Sequence, residues 1–327
     1  MAEIRVLLTG ATGFVGSHTA EALARRQIVV RALVRRTSVT DTLERLGVER
    51  VEGNLNDRAA LDRAVRNADV VVHLAALTKA RSVAEYDRVN AAGTSTLVGA
   101  LLDAEPRPRR LVVLSSLAAA GPNAAGGVGP DDTPLPITAY GRSKLAGERA
   151  ALAASREIEV VVLRAPAVYG PSDRDLYRFF RLAARGIMPV PAGPARRLQL
   201  IHVEDLAEAL VLAVTAERAE GIMHAAESTA YTWEMVGGLV AAAVGRSARF
   251  VRLPAAVFTA AATLSEAAST AAGRSTIFNR DKARELLAPG WLCETDTARR
   301  VLGFDARIPL AEGLRATAQW YRAEGWL

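Results

Sequence analysis

The stretch Thr9-Gly10-Ala11-Thr12-Gly13-Phe14-Val15-Gly16 limits the fold more than any other part of the chain. It follows the apolar run Ile4–Thr9 and opens Phe14–Arg26, whose pattern is helical, so its glycines fall at a strand-to-helix turn. Glycines there let the backbone approach a pyrophosphate, while the start of the helix offers amide donors and a positive dipole end. The spacing is Gly-x-x-Gly-x-x-Gly, and a tight turn without a ligand would use the same residues. Its place in the first strand–helix unit favours a dinucleotide, with Gly10, Thr12, Gly13, Phe14, Val15 and Gly16 as the contacts.

The rest of the first half alternates short apolar runs with helical stretches. Candidate strands are Ile4–Thr9, Ile28–Val34, Val48–Glu52, Val70–Leu74, Leu111–Ser115 and Val160–Arg164. Candidate helices are Phe14–Arg26, Arg58–Asn67, Ala84–Ala104 and Ala139–Ala154. Near-continuous Val/Leu runs fit strands buried on both faces. The pattern predicts an α/β fold: a Rossmann-type doubly wound parallel sheet with a smaller C-terminal substrate-binding lobe. The expected division is 1–170 for the dinucleotide-binding domain and 171–327 mainly for the substrate lobe. Residues 198–217 are expected to return to the first domain, through a helix over His202–Ala216. Two Gly/Pro-rich stretches, Gly121–Pro130 and Pro189–Pro194, read as loops, the first placed where a lid over a substrate would lie.

Composition narrows the classes. The chain has 327 residues, 50% of them hydrophobic and 23% charged, with a net charge of +6. Its arginines are scattered among acids with little aromatic interleaving, which reads as a solvated surface, partly attractive to an anionic cofactor, rather than a nucleic-acid interface. The single Cys293 excludes an internal disulfide and any multi-cysteine metal site. His73, His202 and His224 lack ligand spacing, so no metal is expected. The chain begins almost directly with a strand and shows no secretory signal, which predicts a cytoplasmic protein. Leu253–Ala272 is apolar but interrupted by Thr259, Thr263, Ser265, Glu266, Ser269 and Thr270, short of a membrane span. It reads as a core or surface helix; the alternative is a helix lying on a membrane or lining an apolar substrate pocket.

A candidate catalytic pair lies in Tyr140-Gly141-Arg142-Ser143-Lys144. Residues four apart share a helix face, so a phenol and an ammonium can converge. A tyrosine near its ordinary pKa of about 10 needs a shift of roughly 4 kcal/mol to ionise near neutrality. Lys144 and an oxidised nicotinamide ring would favour the phenolate. Tyr140 would then exchange a proton with an alcohol or ketone oxygen, with Ser116 hydrogen-bonding the same oxygen. The second strand ends Val34-Arg35-Arg36-Thr37, without the acid that would hold ribose hydroxyls. Arg35 and Arg36 can instead pair with a 2′-phosphate, which favours NADP over NAD.

These pieces together resemble an extended short-chain dehydrogenase/reductase, a group that includes nucleotide-sugar epimerases and 3β-hydroxysteroid-dehydrogenase-like or dihydroflavonol-reductase-like enzymes. The resemblance runs nearly end to end. It covers Thr9–Gly16, Val72-His73-Leu74-Ala75-Ala76, Val89-Asn90-Ala91-Ala92-Gly93-Thr94, Ser115-Ser116 and Tyr140–Lys144. It continues through Leu163-Arg164-Ala165-Pro166-Ala167-Val168-Tyr169-Gly170-Pro171 and Ile201-His202-Val203-Glu204-Asp205-Leu206-Ala207. It implies Ser116, Tyr140 and Lys144 as catalytic residues, Ser116 rather than Ser115 because it lies five residues before Gly121. It implies that Leu74, Ala75 and Ala76 line the cofactor groove and that Asn90 supports the active-site helix. Pro166 and Val168 would pack near the nicotinamide. Asn54-Leu55 stands where the family usually has Asp-Leu beside the adenine. A homodimer is usual in the group.

Departures from the family pattern point to a branch. Dehydratases carry Asp-Glu after the catalytic hydroxyl; here Leu117-Ala118 follow. Sugar-nucleotide epimerases usually have Asn where Ala167 stands and Arg where Leu198 stands, although Arg196 and Arg197 are close by. The expected activity is therefore an NAD(P)-dependent interconversion of a secondary alcohol and a ketone on a bulky, mostly apolar small molecule. A nucleotide-sugar epimerase and, after it, a non-catalytic cofactor sensor are the alternatives.

Overall fold

In a computed structural model, which describes residues 4–123, 126–272, 276 and 278–327, seven strands form one parallel sheet. They are β1 (Arg5–Thr9), β2 (Val29–Val34), β3 (Glu49–Glu52), β4 (Val70–His73), β5 (Arg110–Ser116), β6 (Glu159–Ala165) and β7 (Gly221–His224), in the order β7-β6-β5-β4-β1-β2-β3. Every pairing is parallel. All four residues of β4 are buried, as an apolar run covered on both faces requires. One core layer joins Val6, Leu8, Val70 and Val72 to Leu206 and Leu210; the other joins Leu7, Val71 and Val113 to Leu61 and Leu97.

Helices α1 (Phe14–Arg25), α2 (Arg58–Val65), α3 (Gly93–Leu102) and α4 (Ala139–Leu152) follow the expected pattern. Four departures have physical causes. The expected helix over Ala84–Ala104 is three pieces, with a π-turn at Asp87–Ala92 between Val83–Tyr86 and α3; an i→i+5 turn leaves no mark on a 3.6-residue period. Strand β7, four residues long, was not foreseen, because Gly221-Ile222-Met223-His224 is too short to show a period. The return to the main sheet begins with α5 (Val203–Thr215), which packs on α1, whereas Arg197–Leu198 and Leu200–His202 belong to small outer sheets. Finally, part of the expected Pro189–Pro194 loop is the strand Ile187–Pro191, paired with Arg249–Leu253; a two-stranded ribbon has only edges, where proline is tolerated.

In the Gly121–Pro130 loop, Ala124 and Ala125 fall outside the described residues. Its flanks are fastened to the outer lobe, Asn123 N–H to the Gly290 carbonyl (3.0 Å) and Val128 N–H to Leu292 (2.9 Å). Helix α6 (Ala255–Ala271) lies on the surface with only Phe258 and Ala262 buried. No helix among the described residues is long and apolar enough to cross a membrane.

Candidate active site

The turn after β1 is built for close approach. Gly10 has φ +76°, and a Cβ there would sit 2.7 Å from the backbone nitrogen of Ala75, so only glycine fits. The first turn of α1 begins at Gly13 without a side-chain cap. Its orphan amides and dipole are therefore free to meet a phosphate. Thr12 and Gly13 are exposed, Phe14 and Val15 half-buried and Gly16 buried. Across the groove lie Leu74, Ala75 and Ala76, all half-buried. Arg35 and Arg36 are exposed just past the end of β2, whose Leu33 pairs with Thr9. Asn54 is exposed, its side-chain Oδ1 accepting from Asn56 N–H at 2.9 Å, while Leu55 is buried in the core. These residues fit a dinucleotide.

A hydrogen-bond chain joins this groove to the helix that carries Tyr140 and Lys144. Ala75 N–H donates to Thr9 Oγ1 (3.3 Å), which lies 2.7 Å from His73 Nδ1. His73 Nε2 is 3.0 Å from Thr94 Oγ1, which donates to the Asn90 carbonyl at 2.7 Å. Because Thr94 spends its proton on Asn90, the network assigns the His73 proton to Nε2. Burial, reinforced by Lys144, pushes the His73 pKa down to about 3 and keeps it neutral. Asn90 holds Leu77 through both its side-chain atoms and donates to Ser143 Oγ at 2.9 Å. Ser143 in turn donates to the Tyr140 carbonyl at 2.8 Å.

The structure brings Ser116 and Tyr140 to the wall of one cavity, with Lys144 one helical turn beyond Tyr140. Ser116 ends β5, its Oγ accepts from Ala118 N–H at 3.2 Å, and it lies near enough to the Tyr140 phenol to pull its pKa down. Gly141 makes this approach possible, since a Cβ there would fall 2.3 Å from the Ala118 carbonyl oxygen. Lys144 Nζ donates to the Leu114 carbonyl at 2.7 Å. The start of α4 is held twice: Thr138 Oγ1 accepts from Gly141 N–H (3.0 Å), and Asp281 Oδ2 from Ala139 N–H (2.7 Å). One expectation is corrected. In the protein itself the Tyr140 pKa is raised, chiefly by burial, against the lowering influence of Ser116, and Lys144 is not among its determinants. Burial also pushes Lys144 down to about 8, opposed by Glu148.

Ser115, on the opposite face of β5, donates to Glu148, which also holds Arg164 through two bonds of 3.0 and 2.7 Å. The Glu148 and Arg164 side chains are 1% and 0% exposed. Sequence reasoning passed over this pair, because neither residue stands in a charged pattern. The division of labour has a consequence. Ser116→Ala is expected to lower turnover about a hundredfold or more while costing only the modest stability of one lost cap to Ala118 N–H. Ser115→Ala should instead lower thermal stability and spare most turnover. Equal residual activities would show that the two hydroxyls do not divide as their geometry does.

Beside Ser116 and Tyr140 is a cavity of about 150 Å³. Its apolar wall includes Leu117, Ala167, Leu198, Trp233, Leu286 and Trp291. Pro166 also lines it, while Val168 is half-buried behind on the strand Ala167–Tyr169. Lys282 and Glu285, paired at 2.9 Å, supply polar atoms on helix α7 (Arg280–Leu287). Trp233 and Glu285 were not foreseen, since nothing in their local sequence ties them to a site that starts from Ser116, more than a hundred residues earlier in the chain. Cys293 is buried, with its thiol pushed up to about 12 by burial, which leaves it inert. Among the described residues no His, Cys, Asp and Glu side chains cluster in a way that could hold a metal.

A parallel sheet with a glycine turn after its first strand, a capped Tyr–Lys helix and an apolar cavity beside it defines an α/β dinucleotide-binding enzyme. The chain belongs to the NAD dependent epimerase/dehydratase family, whose model matches residues 6–226, and it is an enzyme of the extended short-chain dehydrogenase/reductase type. It is 36% identical to a ceramide reductase of Caulobacter vibrioides over 98% of this chain and 96% of that protein. It is 29% identical to a 4-hydroxy-2-methyl-3-oxo-4-farnesyl-3,4-dihydroquinoline-1-oxide ketoreductase of Stigmatella aurantiaca, over 97% and 96% of the two chains. Among solved structures, MoeE5 in complex with UDP-glucuronic acid and NAD aligns with a TM-score of 0.78 at 28% identity, over 98% of this chain and 99% of that one.

Proposed function

We propose that the protein is an NADP-preferring reductase that interconverts a ketone and a secondary alcohol on a bulky, mostly apolar molecule, with Ser116, Tyr140 and Lys144 as its catalytic residues. The cavity carries this reading. Ala167 and Leu198 both line it, at positions where the family's sugar-nucleotide enzymes usually place Asn and Arg. Apolar walls favour an apolar substrate by removing its surface from water, and the Lys282 ammonium in the lining is already paired with Glu285. The relatives named as a ceramide reductase and a ketoreductase support the reductive reading.

When bound, the nicotinamide cofactor supplies or takes up hydride. The chain's own residues do the rest. Tyr140 gives the proton to the substrate oxygen, and burial, by keeping the phenol protonated, holds it in the donating state. Ser116 orients the same oxygen. Lys144, fixed on the Leu114 carbonyl, stands one helical turn beyond Tyr140. Asn90 locks the helix through Ser143 and the loop through Leu77. Ser116, Tyr140 and Lys144 lie on the domain over 1–170, and the 171–327 lobe supplies most of the substrate wall.

Apolar steroid and long-chain ketones, offered with NADPH, are expected to give stoichiometric loss of nicotinamide absorbance. UDP-glucose should give neither that loss nor a 4-epimer. Epimer formation without net cofactor change would replace this reading with the epimerase one. In the same assay Arg35→Ala should raise KM for NADPH about tenfold or more and leave KM for NADH unchanged, as expected from losing charge-assisted bonds to a 2′-phosphate.

A further inference from the structure

The outer lobe carries a surface that the proposed chemistry does not use. Of the ten large hydrophobic side chains exposed among the described residues, five lie on it or at its edge: Ile187, Met235, Val251, Val257 and Leu264, the last 71% exposed. Ile187 and Val251 point outward from the ribbon formed by Ile187–Pro191 and Arg249–Leu253, where they share a face with Arg249 by register and alternation. Helix α6 leaves that ribbon through Pro254. Val257 and Leu264, seven residues apart, lie on one face of the helix, away from the buried Phe258 and Ala262. The helix is about 25 Å long at 1.5 Å per residue.

The charge on this surface is mostly positive. Residues 176–199 contain five arginines, residues 235–265 contain three, and neither stretch has an acidic residue. Together they exceed the net charge of the whole chain, which is +6. The ribbon pairing joins the two stretches in space. Arg185 and Arg249 are exposed; Arg252, also exposed, reaches Glu234 just outside the second stretch at 3.7 Å. Helix α6 has a single acid, Glu266, and it is tied to Arg280 at 3.0 Å.

From these observations we infer that the ribbon and helix α6 form a docking face for a membrane bearing anionic lipids. The helix would lie in the interface with Val257 and Leu264 among the acyl chains and the ribbon arginines against the headgroups. A charge-free apolar face beside a basic one is what interfacial binding requires, and the helix is not apolar enough to span. The placement connects docking to the cavity. Helix α6 packs on α7 through the Glu266–Arg280 pair, and Leu286 of α7 lines the cavity beside Tyr140. The docking face thus lies one helix away from the wall of the pocket, a short route for an apolar molecule dissolved in lipid. Docking itself does not depend on the proposed reaction.

Flotation of the full-length protein with vesicles tests this. The protein is expected to float with vesicles of phosphatidylcholine and phosphatidylglycerol, to release from them as salt rises, and to bind phosphatidylcholine alone much more weakly. Arg185→Gln and Arg249→Gln should each weaken partitioning about fivefold. Leu264→Asp should abolish retention, with melting temperature and NADP affinity unchanged because the side chain is exposed. No flotation on anionic vesicles, or equal flotation by Leu264→Asp, would overturn the inference. So would a wild-type oligomer that Leu264→Asp disperses in sedimentation, since the face would then be covered by a second copy.

Discussion

Tyr140→Phe is expected to lower turnover by a factor between about a hundred and ten thousand while leaving the melting temperature and coenzyme affinity in place. The range is that of a positioned proton donor. The substitution removes only an oxygen. The ring keeps its contact with Tyr86, whose centroid is 6.0 Å away, and Gly141 still lets the helix approach the segment after Ser116. What is lost is the phenol that lines the cavity beside Ser116. Single-turnover measurements with a saturating apolar ketone separate this loss from weaker binding: the rate should fall and the half-saturating concentration should not. Unchanged turnover would remove Tyr140, and with it both the reductase and the epimerase reading.

The second large effect is on stability. Glu148→Leu should destabilise the fold by about 3–5 kcal/mol, because it leaves the Arg164 guanidinium buried without its partner. Arg164 is fully buried and already has one terminal nitrogen without a hydrogen bond. Ser115 loses its acceptor at the same time. Replacing both charges, as Glu148→Leu with Arg164→Met, should recover most of the loss, since the cost lies in the unpaired charge. Urea unfolding of the two variants gives the comparison. A double variant as unstable as the single one would show that shape, not charge, is what the pair contributes. The single variant also removes the charge that opposes the burial-driven fall of the Lys144 pKa, so Lys144 should lose its proton at a lower pH.

The parts of this enzyme that could be read from the chain are those whose physics is local. A glycine turn between a strand and a helix, a tyrosine four residues before a lysine, and the valine runs of buried strands each declare themselves within a few residues. The choice of Ser116 over Ser115 rested on alternation plus the family spacing, and the two hydroxyls do point to opposite faces of β5. What escaped reading depends on distant segments. The cavity wall draws Leu198, Trp233 and Leu286 from three separate stretches. The Glu148–Arg164 pair looks on paper like two ordinary surface charges. The direction of the Tyr140 shift was misjudged because a lysine one turn away is visible in a sequence and the desolvation of a phenol is not.

Asp281 gives this architecture a constraint on how its substrate range can be altered. The segment that walls the cavity also supplies the carboxylate that accepts from Ala139 N–H at the start of helix α4. An acid there satisfies an orphan donor and opposes the positive end of the helix dipole. Grafting 280–291 from a relative would therefore exchange specificity and a catalytic support in one step. Grafts that keep an acid in the first turn of that segment would change which molecules enter, whereas grafts that lose it would also loosen the helix carrying Tyr140. Selectivity and rate are mechanically separable in this fold only on that condition.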